Sequence, residues 1–148
     1  MPNSIAGRST GSVVSLVLFA IACCLPALEF RNSSAPNDVM FGARALVVGW
    51  SGVFAGVMGW YANPVRLLGL VLIAFRKPKL AALAGVVSIA IAASTFSHIG
   101  KELPGDEGNV TRTTIIRLLP GFYVWMGALV ILPLAALFLP ERRSDTLK

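Results

Sequence analysis

Residues 42–79 read GARALVVGWSGVFAGVMGWYANPVRLLGLVLIAFRKPK, and the fold class turns on this run. Between Arg44 and Arg76 it is apolar or small almost throughout, interrupted by Asn63-Pro64 and by one arginine, Arg66. Gly42, Ala45, Gly49, Gly52, Gly56, Gly59, Asn63 and Arg66 follow one another at alternating steps of three and four residues. On a helix those steps place all of them on one face. That face is a groove of small side chains ending in an amide and a guanidinium. In lipid such a groove admits another helix at close range, and an arginine inside hydrocarbon marks a site or a path.

The rest of the chain extends the same reading. Of 148 residues, 55% are hydrophobic and 14% charged, against about 25% charged in a soluble domain. Uncharged windows cover 9–28, 45–65, 67–75, 80–100 and 118–140. All but 67–75 reach the roughly 20 residues that cross about 30 Å of hydrocarbon. The expectation is an all-α, polytopic transmembrane four-helix bundle forming a single membrane domain. Its spans are about 11–28, 45–75 broken at Asn63-Pro64, 80–100 and 118–139.

The second span is too long for one straight crossing. As a continuous helix, 45–75 would measure roughly 46 Å. Pro64 supplies the break, because it lacks a backbone donor and presses on the carbonyl of Trp60. Two depths fit. With Trp50 at the outer interface and Arg76-Lys77 at the inner one, Arg66 lies roughly 15 Å inside. With Trp60-Tyr61 as the inner aromatic belt, Arg66 snorkels to the headgroups.

Charge sets the expected orientation. Arg8, Arg76, Lys77, Lys79, Arg142, Arg143 and Lys148 share one side with Glu141 and Asp145, a balance of +5. The other side carries five Lys/Arg and five Asp/Glu and balances to zero. Both termini are therefore expected in the cytoplasm, and small size and simple topology suggest a bacterial inner (plasma) membrane. Topology accounts for the net charge of +6, so no nucleic-acid partner is called for.

Arg76-Lys77-Pro78-Lys79 reads as a tight turn, which makes spans two and three antiparallel neighbours. Span three has its own stripe of small residues at Ala81, Ala84, Ser88, Ala92 and Thr95, suited to close packing in this hairpin. The loops 29–41 and 101–117 are expected outside. Each holds an Asn-x-Ser/Thr triplet, at Asn32 and Asn109. Thr111–Arg117 is read as the possible beginning of a helix.

Few residues suit catalysis. Every Asp and Glu falls in a loop or terminus, leaving no carboxylate proton relay in a span. One histidine and the adjacent pair Cys23-Cys24 make no metal site, and no cofactor is indicated. Gly49-Trp50-Ser51-Gly52 resembles the Gly-x-Ser-Gly of rhomboid-type intramembrane serine proteases. That resemblance, four residues long, implies a Ser51–His98 pair at similar depth on neighbouring helices.

The sequence thus supports an expectation of a small non-enzymatic membrane protein surrounded by lipid. It would act through helix–helix contacts, as an accessory subunit, stabiliser or immunity-type binder, with another membrane protein or itself as partner. Gly42, Ala45, Gly49, Gly52, Gly56, Gly59, Ala84 and Ala92 would be the packing positions. The alternative is an oligomeric pathway or site for a small anionic or polar solute at Arg66 and Asn63, with Ser88 in reach. The serine hydrolase is a remote third reading.

Overall fold

A computed structural model describes residues 3–32, 36–104 and 112–137, with side chains described from Thr10 onward. The chain runs α1 (Asn3–Cys24), β1 (Pro26–Asn32), β2 (Asp38–Phe41), α2 (Gly42–Val48), α3 (Ala62–Ala74), α4 (Pro78–Ala93), β3 (Glu102–Pro104), β4 (Arg112–Leu118) and α5 (Pro120–Leu137). Short 3-10 helices occupy Gly49–Ala55, Gly59–Tyr61 and Ser94–His98.

This is not the all-α four-helix transmembrane bundle that the sequence suggests. The two loops on either side of the helical segment pair into one four-stranded antiparallel sheet, ordered β2-β1-β4-β3. Among the described residues, two helices are long and apolar enough to cross a membrane: Pro78–His98, with 21 residues, and Pro120–Leu137, with 18.

The local reasons for the sheet are in the sequence. Leu28 and Phe30 alternate with Glu29 and Arg31 in β1, the period of a strand with unlike faces. Thr113, Thr114, Ile115 and Ile116 supply β-branched side chains to β4, so Thr111–Arg117 does not begin a helix. Pro26 disfavours helical backbone at Leu25, and α1 stops at Cys24, short of the expected end at 28. The outer strands β2 and β3 have four and three residues, and Pro104 closes β3, which keeps both edges short.

The segment 45–75, expected to break at Asn63-Pro64, breaks instead at Gly56, three residues before the second 3-10 helix begins at Gly59. Gly56 ends the 3-10 helix Gly49–Ala55 with φ +76°, a left-handed conformation that costs a side-chain-bearing residue about 1–2 kcal/mol. Pro64 lies in the first turn of α3, where its missing N–H has no helical acceptor to lose. Three-residue turns and the break together undo the 3.6-residue periodicity, so the eight stripe residues share no single helix face.

Packing is closest where small residues meet. Ser15 of α1 donates its hydroxyl to the Ala128 carbonyl of α5 at 2.8 Å. Gly69 of α3 faces Leu132 and Ala84, and Gly85 of α4 faces Pro133. One buried cluster joins Ile73, Ala81, Leu132 and Ala136, and a second joins Ala62, Ala92 and Leu129. A third, Ile115, Leu118 and Phe122, ties β4 to the start of α5. The turn from α3 to α4 closes with Arg76 N–H on Ile73 O at 3.0 Å and Lys77 N–H on Leu72 O at 2.9 Å. Arg76 itself has φ 56°.

Candidate functional site

A cavity of about 350 Å³ lies beneath the sheet. Leu28 and Phe30 of β1, Met40 of β2 and Ile115 of β4 line its sheet side. Phe19 and Cys23 come from α1, and Phe122 and Trp125 from α5. The remaining wall is the segment from α2 to the start of α3, and here the small residues reappear. Gly42, Ala45, Gly49, Gly52, Ala55 and Gly59 line the space, and Asn63 follows them. Their want of side-chain volume keeps it open. Gly56, one member of the stripe, is exposed and has no place in the lining.

Asn63 from this wall and Thr95 from the 3-10 helix after α4 bring polar groups to the cavity. Asn63 Oδ1 accepts the Trp125 indole N–H at 2.9 Å, a bond from α5 to α3. Because indole can only donate, this fixes which end of the amide faces Trp125 and leaves the Nδ2 protons for another acceptor. Thr95 also lines the cavity, is 5% exposed and makes no side-chain hydrogen bond among the described residues. A Cβ on Gly59 would collide with the Thr95 hydroxyl oxygen, so the glycine is what lets the two segments meet. Trp60 is held by its own indole bond to the Leu46 carbonyl at 2.8 Å, which ties α2 to the turn before α3.

Arg66 lies one helical turn beyond Asn63 and is 4% exposed. Its Nη2 donates to the Ser15 carbonyl at 3.0 Å and the Ser15 hydroxyl at 3.1 Å. The guanidinium carbon stands 4.5 Å from the centre of the Phe19 ring, a cation–π contact, and Phe19 is itself part of the cavity wall. Nε is buried without a hydrogen-bond partner. The ion pairs among the described residues are Arg44–Asp38 and Arg117–Glu29, so no described carboxylate neutralises Arg66.

The other residues singled out by sequence fall in different places. Ser88 is buried, but its hydroxyl donates to Gly85 O at 2.7 Å within α4, and Ser15 takes the role of hydroxyl partner to Arg66. Ala84 and Ala92 are buried among α3, α4 and α5, away from the cavity. Ser51 donates to Val48 O at 2.7 Å, while His98 Nδ1 sits 3.0 Å from Ser94 O and 3.2 Å from Ser97 Oγ. No hydrogen bond joins Ser51 to His98, and the nucleophile–base pair implied by the four-residue resemblance is not assembled.

Asn32 accepts a bond from Thr113 Oγ1 at 3.1 Å, whereas the rest of its triplet and the Asn109 triplet lie outside the described residues. So do the basic residues after 137 and the side chain of Arg8. Sequence reading missed Ser15, Phe19, Trp60 and Trp125 as parts of the site. Ser15, a lone hydroxyl in an apolar run, was the available signal for the first of these.

Comparison with known proteins finds no family model that matches this chain, and no curated protein or solved structure similar to it.

Proposed function

We propose that this chain is a non-enzymatic integral membrane protein that holds a small, mainly apolar guest in the cavity beneath its sheet. The observation that carries the binding role is the cavity itself. At about 350 Å³ it falls within the roughly 300–1,000 Å³ of ordinary ligand pockets. Its lining is mainly apolar, with a few polar side chains, Asn63 and Thr95 among them.

Membrane residence is supported by the distribution of side chains. Ser15 and Ser88 are fully buried, with Arg66 and Thr95 nearly so, while Phe54, Phe75, Val47 and Leu137 are more than two-thirds exposed. Water would drive these two sets the opposite way, whereas lipid favours polar and small groups between helices and large apolar ones outside. We place the protein in a bacterial inner membrane, with the basic turn at 76–79 on the cytoplasmic side and the sheet opposite. The Lys/Arg imbalance supports that orientation.

The helix-contact role has lost its main support. The glycine face that would have received a partner helix is spent on the cavity and on contacts within the chain, such as Gly42 against Ala22 and Gly49 against Trp60.

The test is to fill the space. Ala55→Leu and Ala45→Leu place side chains into the cavity, and a neutral alkyl bromide probes it by quenching Trp60 and Trp125. Protein in phosphatidylcholine nanodiscs, with the half-exposed Trp50 replaced by Phe, should show saturable quenching that both fillers abolish. Quenching that is never saturable, or that survives both fillers in folded protein, rejects the binding role.

A further inference from the structure

We infer that the guest is a single-chain anionic amphiphile of the fatty-acid class, with its carboxylate at Asn63 and Thr95 and its chain in the apolar remainder of the cavity. This rests on the binding role proposed above and adds the chemistry of the head.

Three separate observations converge on an acceptor-rich, negative group. Asn63 has given its carbonyl oxygen to Trp125, so what it offers the cavity is a pair of N–H donors. Thr95, 5% exposed, adds a hydroxyl that lines the cavity and makes no side-chain hydrogen bond among the described residues, so it is available to a guest. Both side chains line the cavity, and each can donate to a carboxylate.

The third observation is charge. Arg66 stands one turn past Asn63 on the same face of α3, buried, with an orphan Nε and no described carboxylate beside it. Its contacts are a carbonyl, a hydroxyl and the Phe19 ring, none of which carries a full negative charge. An uncompensated buried cation is the state that an incoming anion relieves most. The guanidinium need not touch the head. Through the Phe19 wall its field acts across apolar surroundings, where a charge is screened far less than in water.

The apolar part sets the rest of the guest. Past Asn63 and Thr95 the lining is Ala, Gly, Leu, Phe and Met from the sheet and α2, surfaces that favour a hydrocarbon chain. About 350 Å³ is near the lower end of ligand-pocket volumes, which suits a single hydrocarbon chain.

The experiment compares 11-bromoundecanoic acid with 11-bromo-1-undecanol, which differ in the head alone. Each is titrated at pH 9 into full-length protein carrying Trp50→Phe in phosphatidylcholine nanodiscs, with affinities referred to the membrane concentration of each probe. The acid should quench Trp60 and Trp125 at a midpoint at least about tenfold lower than the alcohol. Arg66→Gln should erase that preference. Equal affinity for acid and alcohol in the wild-type chain overturns the inference and leaves the cavity role standing. A preference that survives Arg66→Gln overturns it as well. Absence of saturable quenching by both probes overturns inference and cavity role together. Should Arg66→Gln not fold, the wild-type comparison and Thr95→Val decide, since Thr95→Val should weaken the acid selectively.

Discussion

Trp125 and Asn63, 62 positions apart, are joined by a 2.9 Å hydrogen bond from the indole N–H to the amide oxygen. It links α5 to α3 at the wall of the cavity and points the remaining amide protons of Asn63 away from Trp125. Each partner alone would be left with an unmet polar group in apolar surroundings. Asn63→Leu should therefore lower stability by about 1–3 kcal/mol, and Trp125→Phe should recover part of that loss when the two are combined. Thermal unfolding of the three variants in one detergent measures the coupling. Strict additivity would mean that the bond contributes nothing.

Arg66 Nη2 donates to Ser15, and Ser15 in turn is anchored on Ala128. Ser15→Ala removes an acceptor from a charged group and should cost about 1.5–3 kcal/mol. In an Arg66→Met background the same change should cost under about 1 kcal/mol, because the charge it served is gone and a neutral hydroxyl bond is all that is lost. Denaturation of the double-variant series in the same detergent checks this.

Gly56 is needed for its backbone and not for its lack of bulk. Its φ is +76°, and an added Cβ would meet nothing within 4 Å. Gly56→Ala should cost about 1–2 kcal/mol, and Gly56→Asn less, since asparagine tolerates the left-handed region. If Gly56→Leu were no worse than Gly56→Ala, as this geometry requires, the defect would be conformational. A steep further loss with size would instead indicate a helix seated on this position.

Arg76 occupies the corresponding left-handed position between α3 and α4, with φ 56° and both closing hydrogen bonds in place. This is the place where glycine normally ends a helix. Arg76→Gly should relieve the strain and raise stability by up to about 1 kcal/mol, part of the relief being offset by the freedom glycine has in the unfolded chain. A rise of the unfolding midpoint in the purified variant is the expected result, and a fall would mean that the arginine side chain stabilises the turn more than its backbone strains it.

Much of α4 and α5 was legible from the chain alone. Expected at 80–100 and 118–139, the two apolar runs appear as the helices Pro78–His98 and Pro120–Leu137. The small stripe of Ala81, Ala84, Ser88, Ala92 and Thr95 is the buried side of its helix. Such features repeat every three or four residues, so neighbours in sequence carry the whole signal. Arg66 stood out for a similar reason, as a single charge in an apolar run, although its depth did not follow from its position.

The sheet and the cavity needed the third dimension. Leu28 pairs with Leu118 and Asn32 with Thr113, and no local pattern specifies contacts across that much chain. The break at Gly56 was likewise hidden, because glycine permits a helix, a 3-10 turn or a left-handed residue alike. A row of glycines and alanines states only that side-chain volume is missing. Whether a helix, a Thr95 hydroxyl or an empty cavity fills the place opposite is decided by elements far away in sequence, β1, β4 and α5 above all.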